Sequence, residues 1–241
     1  MIPPSQTDKN LYFGDLHVHS DLSFDSYLFG NRNTLDQAYA FARGQALTTL
    51  AGEVMQLSRP IDFVGVTDHA ETFGLMDVCF NGTQLPDSLN AFCAGFEHPS
   101  LQFFMRLRSF GSAQPMRISD FFFEVVEGDC AASVAKLGIP MWEFVKAKAE
   151  EYNDLGRFTA FATYEYLPPL EAHGKLHRNV FFRNQKTSKR AYSAFDAATA
   201  PILCKVFEED CFGECDFLTI PHNLNRTWGR AYAMQTIDGD P

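Results

Sequence analysis

The sequence predicts an α/β protein: a mainly parallel sheet, closed toward a barrel and wrapped by helices, forming one domain over residues 1–241. Three observations carry that expectation. Short apolar, β-prone runs alternate with segments of helical spacing, the pattern of βα units. Hydrophobic residues make up 46% of 241, enough to fill one large core. Histidines and a glutamate recur at the ends of the strand-like runs, and in parallel α/β barrels those ends converge on one mouth.

The strand-like runs are residues 11–16, 61–67, 158–166, 180–182 and 217–220, each bounded by polar or turn-forming residues. Helical spacing covers residues 34–57, with Thr34 as N-cap and Pro60 just beyond the end, and residues 141–155, closed by Gly156. Residues 71–140 break the rhythm, because the stretch is too long for an ordinary βα connection and shows no strand alternation. It reads as a partly helical insertion placed to cover an active site or merely to elaborate the fold. Its aromatic runs Phe103-Phe104 and Phe121-Phe122-Phe123 are assigned to core rather than to a ligand platform.

A net charge of −10, from 20 Lys plus Arg against 30 Asp plus Glu, argues against nucleic acid or an anionic membrane surface as partner. No apolar stretch approaches the ~18 residues that span a bilayer, and the first residues lack a basic segment followed by an apolar one. The expectation is a soluble chain without a signal peptide, cytoplasmic or, if a mature fragment, periplasmic. The six cysteines form no C-x-x-C pair and read as buried free thiols, although Cys211 and Cys215 can pair in an oxidising compartment. There is no G-x-S-x-G elbow, P-loop or G-x-G-x-x-G, so neither a covalent serine nor a cradled nucleotide is indicated.

The chemistry gathers at the strand ends: His17 and His19, then His69, Glu165 and His222. In His17-Val18-His19 the strand period of two points both imidazoles to one face, where they can bind one cation or two adjacent ones. An isolated H-x-H is weak evidence; the weight comes from the other strand-end groups. Imidazoles mixed with carboxylates suit zinc, iron or manganese.

The fuller constellation is Asp15-Leu16-His17-Val18-His19-Ser20 with Asp25 downstream, Val66-Thr67-Asp68-His69, Thr163-Tyr164-Glu165-Tyr166, His177-Arg178-Asn179 and Ile220-Pro221-His222-Asn223. It resembles the PHP family, named for its polymerase and histidinol phosphatase members. It is most similar to a largely uncharacterised branch of the domain-of-unknown-function 3604 type, with a Tyr-Phe-Gly-Asp-Leu-His opening and an Asn-Arg-Asn-Thr segment. The resemblance implies a distorted (βα)7 PHP-type barrel holding two to three divalent metals. By position it implies His17, His19, Asp25, His69, Glu165, His177 and His222 as ligands, with Glu165 bridging two ions. The Asp-x-His pair expected near the end of such a barrel has no counterpart after His222, where the chain runs to Ile237-Asp238-Gly239-Asp240-Pro241. A barrel lacking its last strands is therefore expected, either because the chain is a fragment, the favoured reading, or because the site is naturally reduced.

Strand parity sets Arg178 away from His177 and Asn179 on its face. Asp15 and Asp68 are expected to orient ligand imidazoles or to cap turns. His173 competes with His177, which is preferred because it opens a strand; His98 and Glu71 read as solvated groups, although Glu71 can line the mouth. Arg32 and Arg226, in polar loops after ligand segments, are the candidates to hold a phosphate. The expected activity is metal-dependent hydrolysis of a small anionic substrate, most simply a phosphoester, by a metal-activated water at a di- or trinuclear site. Amide or ester hydrolysis uses the same geometry, and a metal-binding module without turnover is the non-enzymatic alternative.

Overall fold

In the computed structural model residues 10–81, 93–110, 130–168, 170 and 174–232 are described. The strands are β1 (Gly14–Val18), β2 (Leu47–Thr48), β3 (Val54–Met55), β4 (Phe63–Val66), β5 (Thr159–Ala160), β6 (Ala162–Tyr166), β7 (Arg178–Phe182) and β8 (Phe217–Pro221). The helices are α1 (Phe24–Leu28), α2 (Leu35–Ala42), α3 (Leu75–Asn81), α4 (Leu101–Phe110), α5 (Cys130–Tyr152) and α6 (Ala200–Cys211). His173, Phe121-Phe122-Phe123 and the segment Ile237-Asp238-Gly239-Asp240-Pro241 lie outside the described residues.

The expected (βα)7 barrel is not what forms. The strands make a parallel three-stranded sheet, β1-β4-β5, an antiparallel one, β6-β7-β8, and the β2-β3 hairpin, with no closed barrel among the described residues. The reason lies in the connections. Only 11 residues (167–177) join β6 to β7, fewer than the dozen or more that a parallel crossover needs, so the chain turns back. Residues 183–216 contain α6 yet leave and re-enter at the same end, since Phe182 pairs with Phe217. Alternating strand and helix thus produced a wide hairpin instead of a βαβ unit.

The run at residues 158–166 is one strand in the sequence and two in space. β5 pairs with β4, whereas β6 belongs to the antiparallel sheet. A single parallel bridge, His69 with Glu165, and the bond from Glu165 N–H to Asp68 O (3.0 Å) tie the sheets together beyond β4. Gly65 permits the close approach: a Cβ there would lie 2.6 Å from Cε1 of Phe181.

The helix expected over residues 34–57 stops at Ala42, because Gly44 takes a left-handed φ of +87° and the β-branched Thr48 and Thr49 favour the β2-β3 hairpin. Its start is as expected: Thr34 and Gln37 form a reciprocal capping box at Oγ1 (3.3 Å) and Oε1 (2.9 Å). Thr34→Ala should lower stability by about 1 kcal/mol, read from the denaturation midpoint, and an unchanged midpoint would show that tertiary packing alone holds α2. The second expected helix, residues 141–155, instead runs from Cys130 to Tyr152, starting before Pro140 and ending short of residue 155. The described parts of the 71–140 insertion are helical.

The core lies between α2, α5 and α6 and the sheets. Fully buried Trp142 packs edge-on against Tyr164 (5.5 Å), and its Nε1 donates to Ser188 O (3.0 Å). Phe207 on α6 meets Phe182 (5.7 Å) and Phe217 (4.7 Å), which fixes β7 and β8 where they deliver His177 and His222. Cysteines depart from the free-thiol expectation: Cys79–Cys93 and Cys211–Cys215 are disulfides, and Cys204 is a free thiol. No helix among the described residues is long and apolar enough to cross a membrane.

Candidate metal centre

Glu165 stands at the centre of the site. It is 1% exposed on β6, and four imidazoles from four separate segments surround it. Oε1 lies 2.5 Å from Nδ1 of His177 and 2.7 Å from Nε2 of His222; Oε2 lies 2.9 Å from Nε2 of His19 and 3.6 Å from Nε2 of His69. Asp25, in the first turn of α1, adds a second carboxylate 3.3 Å from Nδ1 of His19 and 3.4 Å from Nε2 of His69. His17 joins through its neighbours, with ring centroids 4.8 Å from His19 and 4.3 Å from His222. All seven residues expected as ligands are therefore in one place.

The convergence has local causes. The β1-β4 register shifts between Asp15 and Val18, a bulge that re-aims the side chains leaving the strand. Asp68, fully buried, accepts from Ser20 N–H (2.7 Å) and Ser20 Oγ–H (2.6 Å), which pins the turn after His19. Asp68 thus anchors backbone and not a ligand imidazole. Asp15 likewise accepts from the backbone N–H of His17 (2.9 Å). At the other end, His222 N–H donates to His177 O (3.1 Å), extending the β7-β8 ladder to both histidines.

Three further residues join the site: the sequence reading has no sign of Ser23, sets Asn179 on the face of His177 and takes Glu71 as a solvated charge able to line the mouth. Ser23, buried, lies 2.8 Å from Nδ1 of His19 and donates to Asp25 Oδ1 (2.8 Å), linking two of the residues expected as ligands. Asn179, whose shared face with His177 was legible from strand parity, donates to Leu16 O (2.8 Å) and lies against Nδ1 of His17. Glu71 is 1% exposed, not solvated, and its carboxylate faces the His69 ring. Arg178 points elsewhere, toward Thr219 Oγ1 (3.3 Å). Of the proposed phosphate holders, Arg32 is spent on its own loop: Nη1 donates to Tyr27 O (2.5 Å) and Asn31 O (2.8 Å), and the guanidinium sits 3.4 Å over the Tyr27 ring. Arg226 is exposed on the loop after His222, where its carbonyl accepts from Lys175 N–H (2.9 Å). His98 is exposed.

The electrostatics follow from packing acids against imidazoles out of water. Burial alone would raise Glu165, but the surrounding imidazoles, His69 first, hold it well below the usual carboxylate range. Asp25 is likewise lowered despite burial, chiefly by His69 and His19. Burial opposes protonation of His19, yet Asp25 and Glu165 push it up to about 10; His69 is raised against its burial by Glu165 and Asp25. Burial pulls His177 down to about 4 and lowers His17.

Donor atoms of His17, His19 and Glu165, of His19, Asp25 and His69, and of His69, Glu165 and His177 form three groups, each within 4.8 Å of one another. Glu165 Oε2 is buried and has no hydrogen-bond partner among the described residues although two Nε2 atoms converge on it, a geometry that suits a shared cation better than a hydrogen bond. Nitrogen and carboxylate oxygen are the donors that zinc, manganese and iron accept. No curated protein and no solved structure matches the chain. A family model matches residues 6–241, and the chain therefore belongs to the family described as Protein of unknown function (DUF3604).

Proposed function

We propose that the protein is a metal-dependent hydrolase of the PHP type, acting on phosphoesters at a di- or trinuclear centre. The supporting observation is the buried Glu165 ringed by His19, His69, His177 and His222, with Asp25 and His17 completing the set. Two or three divalent cations, zinc, manganese or iron, would supply Lewis acidity there, acidifying water and neutralising charge on a phosphoryl oxygen. Glu165 would help to hold the cations together with both pairs of imidazoles that its two oxygens face. His17, exposed at the end of β1, stands on the solvent side, whereas His69 and His177 are buried beneath. Arg226 remains the candidate to hold the substrate's anionic group, since the β7-β8 extension carries it next to both ligand strands.

The test is hydrolysis by chain loaded with zinc, manganese or iron(II), on phosphomonoesters and phosphodiesters beside amides and lactones. Phosphoester cleavage, read as inorganic phosphate from the monoesters or as released alcohol from the diesters, that chelation and Asp25→Ala both abolish is expected. Turnover of amides or lactones alone would replace the phosphoesterase reading by amide or ester hydrolysis. No turnover by metal-replete protein on any substrate class would favour a metal-binding module without catalysis.

A further inference from the structure

Glu71 lies in the 3-10 turn Ala70–Thr72, directly after His69, and its side chain is out of contact with water. A carboxylate removed from water costs several kcal/mol unless its oxygens are satisfied. Oε1 is satisfied: it accepts from the backbone N–H of Leu167 (3.1 Å) and of Ala194 (3.0 Å), which clamps the carboxylate in one orientation. Oε2 has no hydrogen-bond partner among the described residues. The basic atom within 4 Å of it is Nδ1 of His69, at 3.9 Å, and that nitrogen is equally buried and equally unpartnered.

The opposite nitrogen of the same ring, Nε2, faces the donor cluster, 3.4 Å from Asp25 Oδ2 and 3.6 Å from Glu165 Oε2. A neutral imidazole carries one proton, and it can offer Nε2 to a cation only when that proton sits on Nδ1. A proton on a buried Nδ1 needs an acceptor. Glu71 Oε2 is the acceptor in place, about 1 Å beyond the length of a formed hydrogen bond. The backbone of His69 is held separately, by its N–H on Ser23 Oγ (3.3 Å) and by Thr72 Oγ–H on its carbonyl (3.3 Å), and Glu71 is the acidic group that faces the Nδ1 edge of its ring.

We infer that Glu71 is a positioning residue that fixes the tautomer and ring orientation of His69, so that Nε2 is presented to a divalent cation. The inference rests on the metal reading above. Glu71→Gln is the sharp variant: an amide oxygen can keep the bonds to Leu167 and Ala194, while an NH2 donor replaces Oε2 and cannot accept from Nδ1. Zinc affinity, measured by competition with a chromogenic chelator, is expected to fall about 10- to 100-fold. In nitrogen-15 spectra of zinc-loaded wild type, His69 is expected to carry its proton on Nδ1. Unchanged zinc affinity in Glu71→Gln overturns the inference, as does a zinc-loaded wild type with His69 protonated on Nε2. The second measurement decides the matter even if the variant does not fold. Wild type that binds no zinc would remove the metal reading itself, an outcome distinct from a wild type that binds zinc while Glu71→Gln binds it equally well.

Discussion

Glu165→Gln is expected to reduce bound metal from two or three equivalents to one or none and to abolish metal-dependent turnover. Every other donor in the site is one of several, whereas Glu165 touches both halves: Oε1 faces His177 and His222, Oε2 faces His19 and His69. An amide offers one acceptor oxygen, carries no charge and turns a donor toward one of the two imidazole pairs. Outer partners of a metal site typically cost about 10- to 100-fold in affinity when removed, so loss of a carboxylate that faces both imidazole pairs should exceed about 100-fold. Stability of the metal-free chain should fall as well, because His19 and His69 hold their protons only through Glu165 and Asp25. Breaking a buried ionic cluster from one side costs about 3–5 kcal/mol, less whatever the imidazoles recover by losing their protons. Metal analysis by mass spectrometry on untagged protein reads the first effect, and His98→Ala, at an exposed histidine away from the cluster, is the control. A Glu165→Gln chain that retains the wild-type metal equivalents would show that the cluster is held by something else.

How the site could be read where the barrel could not comes down to range. Each candidate ligand segment announces itself locally: His17 and His19 at a strand end, His69 just past the apolar run 61–67, His222 just after the run 217–220. A strand period and a terminus are short-range properties, and they survive whatever sheet the strand joins. Pairing direction is long-range. Nothing near Phe161 announces that β5 and β6 enter different sheets, and the same alternation of strand and helix serves a crossover or a wide hairpin. The helix assigned to residues 34–57 failed for a legible reason, since Gly44 and Gly52 and two threonines were present to end it. Ser23 and Glu71 were missed differently. Both sit two residues from a ligand, but a serine and a glutamate in polar loops look like any solvated pair until their burial is known. The insertion's Cys79–Cys93 bridge was similarly invisible, because spacing alone does not place two Cα atoms 5.2 Å apart.

Removing the metal should lower the melting temperature, and the gap between loaded and metal-free protein should widen as pH rises from 6 to 8. At a free cation concentration about a thousandfold above its dissociation constant, binding adds about 4 kcal/mol. For a chain of this size that corresponds to roughly 8–16 °C. The pH dependence follows from His19, raised from 6.5 to about 10 against its burial by Asp25 and Glu165, and from His69, raised by Glu165 and Asp25. In the metal-free fold the His19 ring is imidazolium near neutrality, and His69 keeps its proton to a higher pH than a free imidazole. Their contribution to folding is complete below the unfolded value of 6.5 and is lost as pH climbs through the folded value, near 10 for His19. His177 works in the other direction: lowered to about 4 by burial, it stays neutral above 6.5 and destabilises the fold only as pH falls below that. A cation must displace the protons on His19 and His69, so affinity should rise about tenfold per pH unit for each proton released. Calorimetric titration in buffers of different ionisation enthalpy counts those protons, and thermal melts at pH 6, 7 and 8 read the widening gap. Binding that releases no proton would mean that the cation does not replace the His19–Asp25–Glu165 contacts, and the centre would have to be sought elsewhere.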